Sequence, residues 1–381
     1  MKKVLSIALA LMMMFAVVAS CAPAADTPAP APAPAAPEPA PEPAPEPAPA
    51  PEPVPDDGGI LYIPVISKGF QHQFWQTVNA GSDAAAADFG VEIFFMGPES
   101  EADIAVQVGM IDTELAKNPD AIALAALSTD AVLSQLQDAF DRGIPIVGFD
   151  SGVPDAPAGQ IAATASTDNE AAAALAADHM FPEIEDAVAA ATSANPVTIA
   201  VLSQDVVSAS VGGRTKGFAE RMYTLASGAN DSVAIVGGFS AINKGDADPA
   251  VKIDIVVGAT PTQPDMDIAG TAALNIENLL GIFMSNEGAV NGILNATGAG
   301  SVVPDGCILI GFDAGTAQKG AVRSGFFFGS ITQDPFMIGY LAVELAVRAA
   351  RGESVSDADT GAKWWDASNM DEPDIARLLY D

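Results

Sequence analysis

The sequence predicts an α/β protein built as two doubly wound parallel-sheet lobes joined by a three-segment hinge. Short apolar, β-branched runs alternate with longer Ala-rich segments from residue 60 onward. Continuous apolar strands alternating with helices of that length argue for parallel βαβ units buried on both faces. The alternation restarts at Val197, which divides the chain into two such windings. Two of the runs also end alike, Gly148-Phe149-Asp150-Ser151-Gly152 and Gly311-Phe312-Asp313-Ala314-Gly315. Related lobes facing each other across one cleft would carry such a duplication.

Taken in order, Ile60–Ile66 reads as a strand, Phe74–Phe89 as a helix and Val91–Met96 as a strand. Ala102–Lys117 is helical, Ala121–Ala125 a strand, Thr129–Asp141 helical and Ile144–Phe149 a strand. The second winding runs Val197–Leu202 strand, Ser208–Ser227 helix, Ile253–Gly258 strand and Ile268–Leu280 helix. Cys307–Phe312 follows as a strand and Pro335–Arg351 as a helix. Helix and strand nearly fuse at Leu280-Gly281-Ile282, and Gly237–Val251 reads as a polar insertion. The expected lobes are 58–165 with 334–359, and 166–333 with 360–381. Crossings are expected near Ala165–Asp168, Thr332–Pro335 and Ala358–Lys363, with Trp364 and Trp365 packing the third.

The front of the chain sets the compartment. Lys2 and Lys3 precede an apolar run from Val4 to Val18, which reads as a signal peptide over 1–20. Small residues before Cys21 resemble the bacterial lipoprotein box, which implies acylation of Cys21 and an extracytoplasmic protein anchored to the membrane by lipid alone. Residues 21–57 form the anchor and a tether of almost only Ala, Pro and Glu. Such a segment cannot bury a core and favours extended polyproline II, reaching on the order of 100 Å at ~3.1 Å per residue. The formal net charge is −33, and −35 once Lys2 and Lys3 leave with the leader. A surface that acidic repels nucleic acid and disfavours anionic ligands. With Cys21 acylated, Cys307 has no partner and reads as a small buried hydrophobe.

In open parallel sheets ligands bind beyond the carboxyl ends of the strands. The polar residues there are Asp150, Ser128 and Thr129, Asn286, Asp313 and Gln333. Each alone could be a helix N-cap. Phe74 and Trp75 open the first helix; adjacent positions cannot both face one core, so at least one faces the cleft. His72 is a loop histidine balanced between ligand contact and solvent, while His179 in its Ala-rich helix reads as structural. Asp246-x-Asp248 and Asp357-x-Asp359 lack the full acidic spacing of a calcium loop and read as solvated turns, so no metal and no cofactor is expected.

These features, in this order, resemble the ribose/galactose type of periplasmic sugar-binding proteins of ABC transporters, the type I periplasmic binding protein fold. The resemblance runs through Gln71-His72-Gln73-Phe74-Trp75, Ile144-Pro145-Ile146-Val147-Gly148-Phe149-Asp150 and Thr167-Asp168-Asn169. It continues through Gly213-Arg214-Thr215-Lys216-Gly217-Phe218, Asn286-Glu287, Gly311-Phe312-Asp313 and Ile331-Thr332-Gln333-Asp334-Pro335. It implies ligand contacts at Phe74, Trp75, Asp150, Arg214, Asn286, Asp313 and Gln333, with His72 and Met266 at positions where the family pattern is altered. Ser151 stands where the family carries an arginine. The implied ligand is a monosaccharide and the implied partner an ABC-transporter permease, with the chain a monomer. DNA-binding repressors share this fold but begin with a helix-turn-helix, where this chain has a signal peptide.

The residue chemistry agrees independently. Aromatic rings cover the apolar faces of a sugar, while carboxylates, amides and a guanidinium satisfy its belt of hydroxyls. Enzyme signatures are absent: no G-x-S-x-G, no Walker A loop, no H-E-x-x-H and no Cys–His pair. The paired aspartates leave a glycoside-active enzyme as an outside alternative. A receptor that presents a nucleoside or autoinducer-2 to a sensor stays open as well.

Overall fold

The computed structural model describes residues 59–70, 72–298 and 305–380. The expected signal peptide, Cys21 and the tether lie outside them. The first sheet contains β1 (Tyr62–Ile66), β2 (Glu92–Met96), β3 (Ile122–Leu124), β4 (Ile146–Phe149), β5 (Ala163–Ser166) and the short β13 (Ala358–Asp359). Helices α1 (Gln73–Phe89), α2 (Ile104–Ala116) and α3 (Leu133–Asp141) connect its strands. All its pairings are parallel, in the order β13-β5-β4-β3-β1-β2. Ile63, Val65 and Ile66 of β1 are fully buried, as a strand covered on both faces requires.

The chain then crosses to a second sheet. Helix α4 (Asn169–Ala190) leads into β6 (Val197–Ser203), α5 (Ala209–Ala229), β7 (Val233–Gly237), β8 (Lys244–Gly245), β9 (Val251–Val257), α6 (Gln263–Leu274) and β10 (Leu279–Met284). After them come α7 (Glu287–Ala296), β11 (Ile308–Phe312), α8 (Thr316–Arg323) and β12 (Gly329–Gln333). The order is β14-β12-β11-β10-β6-β9-β7-β8, with β14 (Ala362–Trp365) antiparallel to β12 and β8 antiparallel to β7. Helix α9 (Pro335–Ala350) returns to the first lobe and packs on α1, and α10 (Pro373–Ala376) follows β14. The chain therefore passes between the sheets at 167–168, at 334 and at 360–361.

Helix ends follow local chemistry. Asp168 caps α4 by accepting from the Ala171 N–H, Asn286 caps α7 through Ala289, and Asp334 caps α9 through Met337. Gly90 closes α1 in the left-handed conformation, at φ 66°. Two helix pairs touch backbone to backbone through glycine. A Cβ on Gly81 or Gly339 would lie 1.9 Å from the Phe336 carbonyl oxygen or 2.0 Å from that of Val78, and one on Gly217 2.2 Å from that of Glu170.

Three readings need correcting. The helix expected over Ile268–Leu280 is α6, Gln263–Leu274; residues 275–278 separate it from β10, with Asn278 at φ 53° making the turn. Apolar Leu279 and Leu280 belong to the buried strand and not to the helix end, so the two are not fused. The segment read as an insertion is an edge hairpin, in which a 3-10 turn (Ser240–Ile242) lays β8 back along β7. Trp364 and Trp365 lie past the third crossing, inside the second sheet. Trp365 is fully buried and Trp364 stacks on His179 at 3.9 Å between centroids.

Cys307 is partly buried and unpaired among the described residues, and burial pushes its thiol up to about 12. Relative to a free thiol near ~8.5, the thiolate population near neutral pH falls on the order of a thousandfold. Iodoacetamide at pH 8 is therefore expected to leave Cys307 untouched in the native protein and to label it only in denaturant, as read by mass spectrometry.

Candidate functional site

The carboxyl ends of β1, β4, β10, β11 and β12 and the N-terminal turns of α1 and α5 meet around a small cavity. Its walls include Lys68, His72, Phe74, Trp75, Glu101 and Asp150 of the first lobe. Val211, Arg214, Asn286, Asp313 and Gln333 face them. His72, Phe74, Trp75, Asp150, Arg214, Asn286, Asp313 and Gln333, all singled out from sequence, line it, whereas Ser128, Thr129 and Met266 do not. Met266 sits on the inner face of α6, fully buried, its sulfur against Gly258. It lines instead a neighbouring pocket with His72, Gln204, Pro261, Gln263 and Asn291.

The two Gly-Phe-Asp strand ends are geometrically alike. Asp150 and Asp313 both hold positive φ, 50° and 77°, and each donates its N–H to the adjacent strand, to Ala165 and Ile331. Non-glycine residues seldom occupy this region, and such strain concentrates at functional sites. The paired phenylalanines also do parallel work: Phe149 meets the edge of Trp75, and Phe312 lies 3.9 Å beneath the Arg214 guanidinium.

Arg214, 3% exposed, stands between the aspartates, 3.7 Å from Asp150 and 3.8 Å from Asp313. Its Nε donates to Asn169 at 2.7 Å and Nη1 to the Ser285 carbonyl at 3.3 Å, while Nη2 is buried without a hydrogen-bond partner. On the other side of Asp150, Lys68 Nζ lies 3.4 Å from the carboxylate and donates to Ser210 Oγ at 3.0 Å. Burial alone would lower the Lys68 pKa, but Asp150, Glu101 and Asp205 outweigh it and raise the value above the ordinary one. Gln333 donates to Asp313 at 2.9 Å and accepts from the Thr167 hydroxyl at 3.0 Å. That hydroxyl also lies 3.3 Å from Thr360 Oγ1 and 3.4 Å from the Gly361 carbonyl. All three crossings are thereby tied to the cavity's second aspartate.

Phe74 and Trp75 supply the apolar wall, edge to face at 4.9 Å and 83°. Tyr380 backs Phe74 at 6.4 Å and accepts from the Ala314 N–H; burial, then Asp313 and Glu287, push its phenol well above the ordinary value. Glu287 at the start of α7 accepts from the Gln73 and Phe74 N–H groups across the cleft, at 3.3 and 3.5 Å, and burial raises its carboxyl pKa. It thus occupies the N-terminus of α1, where a negative charge is favourable. Among the described residues, no cluster of His, Cys, Asp and Glu is placed to hold a metal, and no helix is long and apolar enough to cross a membrane.

The profile of the family described as "Periplasmic binding protein domain" matches residues 63–354. The chain belongs to the periplasmic binding protein family. Among solved structures, this periplasmic binding protein is similar to one described as an ABC transporter, LacI family transcriptional regulator from Brachyspira murdochii. Identity is 43%, TM-score 0.69, with 84% of this chain and 99% of that one covered. An ABC transporter solute binding protein from Agrobacterium vitis with bound D-fucose is 27% identical at TM-score 0.69, covering 84% of this chain and all (100%) of that one. Among curated proteins, the D-allose-binding periplasmic protein of Escherichia coli strain K12 is 22% identical over 303 residues, 77% of this chain and 86% of that protein. The two-lobe parallel α/β architecture of the type I binding proteins is thus the fold of this chain.

Sequence reasoning missed Lys68, Glu101, Gln204, Ser210 and Glu287. The strand-end rule would have reached Lys68 had it been applied to β1, and Gln204 had it been applied to β6. Glu101 carried no local signal: Glu99, two residues earlier, is exposed, while Glu101 is 4% exposed.

Proposed function

We propose that this periplasmic binding protein is an extracytoplasmic lipoprotein that captures a neutral monosaccharide between its lobes and hands it to the permease of an ABC transporter. The cavity carries this reading. Two aromatic rings, carboxylates, amides, a guanidinium and an ammonium converge on one small space between the lobes, the mixture of apolar wall and hydroxyl partners that a single sugar ring calls for. Phe74 and Trp75 would cover the C–H faces of the ring. Asp150 and Asp313 would accept from hydroxyls, while Arg214 Nη2, Lys68 and the Asn286 amide nitrogen would donate.

Three carboxylates line the cavity against Lys68, Arg214 and His72, and in a chain of formal net charge −33 a uronate or sugar phosphate would add repulsion where a neutral sugar would not. The lining charges are engaged with one another and with neighbouring amides and hydroxyls, an arrangement for binding and not for turnover. Hinge bending at the three crossings would open and close the lobes, 58–165 with 334–359 against 166–333 with 360–381. Acylated Cys21 and the tether would hold a monomer at the membrane without further membrane contact, and no cofactor or nucleic acid enters this function. The sugars named for the A. vitis and E. coli relatives support the ligand class.

A thermal-shift screen of pentoses, hexoses, polyols, nucleosides and amino acids tests the proposal. A ligand at a hundred times its dissociation constant stabilises the native state by about 2.7 kcal/mol. The expected result is a raised midpoint with one or a few neutral monosaccharides. A shift with nucleosides or amino acids and none with sugars would contradict it.

A further inference from the structure

Glu101 lies in the loop after β2, away from every strand-end motif, yet its carboxylate sits where the lobes meet. One oxygen accepts from Trp75 Nε1 at 2.8 Å, and the other from Gln204 Nε2, across the cleft, at 2.7 Å. We infer that Glu101 is a positioning residue that couples the ligand-facing ring of Trp75 to closure of the lobes through Gln204. The coupling rests on reading the cavity as the ligand site.

Each end of the relay is held in place. The Trp75 indole is 1% exposed, so its N–H would be a buried unsatisfied donor without Glu101. Phe74 and Phe149 fix the ring at its edges, and Lys68 Nζ lies 5.9 Å from its centroid. Gln204 is fixed by its backbone N–H, which donates to Ser285 Oγ at 3.2 Å. Its Oε1 is buried without a hydrogen-bond partner and packs on Gly288, where a Cβ would lie 1.8 Å away. The amide is therefore preset to donate toward the first lobe. Glu101 stays charged while buried: burial pushes its pKa up, but Lys68, then His72, with the bonds from Trp75 and Gln204, more than offset this and hold it below the ordinary carboxylate value. Charge-assisted bonds of this kind are about twice as strong as neutral ones. A ligand packing on Trp75 orders the ring, the ring orders the carboxylate, and the ordered carboxylate meets Gln204 only when the lobes are shut.

Two readouts on the purified full chain test this. Small-angle scattering on ligand-free protein reads closure without any sugar. Glu101→Ala and Gln204→Ala are both expected to show a larger radius of gyration than the unaltered chain, and equal radii overturn the latch. Gln204→Ala leaves the Trp75 and Lys68 interactions of Glu101 in place and decides the matter if Glu101→Ala does not fold. The second readout is a double-mutant cycle on the dissociation constant of the sugar found by the screen. Trp75→Phe keeps an aromatic face but removes the indole N–H, and Gln204→Ala removes only the cross-cleft arm. A relay predicts that the double variant loses at least about threefold less than the product of the single losses, and that this coupling disappears in a Glu101→Gln background. Independent losses, multiplying to within about twofold, overturn it. Should no sugar bind, the monosaccharide proposal fails and the scattering comparison alone decides the latch.

Discussion

Arg214→Ala is expected to weaken sugar binding by at least ~100-fold, about 2.7 kcal/mol, and to destabilise the closed protein as well. Among the described residues, Arg214 is the one cation within 4 Å of both cleft aspartates, at 3.7 Å from Asp150 and 3.8 Å from Asp313. Removing one member of a buried charge cluster typically costs 3–5 kcal/mol, because the remaining charges are left uncompensated. Lys68 still pairs with Asp150 at 3.4 Å, so Asp313 bears most of that loss. The planar guanidinium also lies on Phe312 and donates to Asn169 and the Ser285 carbonyl. An ammonium cannot reproduce that fork, so Arg214→Lys is expected to recover only part of the affinity. Calorimetric titration of the two variants checks the order. Equal affinity of Arg214→Ala and the unaltered protein would remove Arg214 from the site.

A single methyl group is expected to cause a second large loss of stability. Gly339→Ala replaces a helical glycine, which propensity alone would reward by about 1 kcal/mol. The Cβ, however, would arrive 2.0 Å from the Val78 carbonyl oxygen and 2.8 Å from its carbon. Both are backbone atoms of α1 and cannot step aside as a flexible side chain could. The reciprocal contact of Gly81 with the Phe336 carbonyl blocks the other route. The helices must separate, and overpacking of this kind costs about 3 kcal/mol, so α1 would shift and carry Phe74 and Trp75 with it. Gly109→Ala in α2, where nothing lies within 4 Å, is the control and is expected to stabilise. Urea denaturation of the two variants gives opposite signs if packing governs, and the same sign if propensity does.

Much of the fold was legible because its strands are buried on both faces. Runs such as Ile144–Phe149 and Val197–Leu202 leave no room for another period. Boundaries slipped where an apolar stretch spans an element change, as at Leu279 and Leu280, which could extend a helix or begin a strand on composition alone. The site was legible wherever it hangs from a strand end: Asp150, Asp313, Asn286 and Gln333 are placed by topology. Lys68 obeys the same rule, two residues beyond β1. Glu101 does not, since its burial depends on Gly69, Trp75 and Gln204 arriving from elsewhere in the chain. Met266 shows the converse error. It occupies a position where the family pattern suggested a ligand contact, yet the packing of α6 on α7 turns it into the core, with its backbone carbonyl beneath Gly292.

Calorimetric titration of the purified protein with the neutral monosaccharide selected by the screen, and with a disaccharide containing it, tests the central claim most directly. One monosaccharide is expected to bind per chain, with no heat from the disaccharide, because the polar lining of both lobes converges on one small cavity. Absence of binding by every neutral monosaccharide, or tighter binding of the disaccharide, would contradict it.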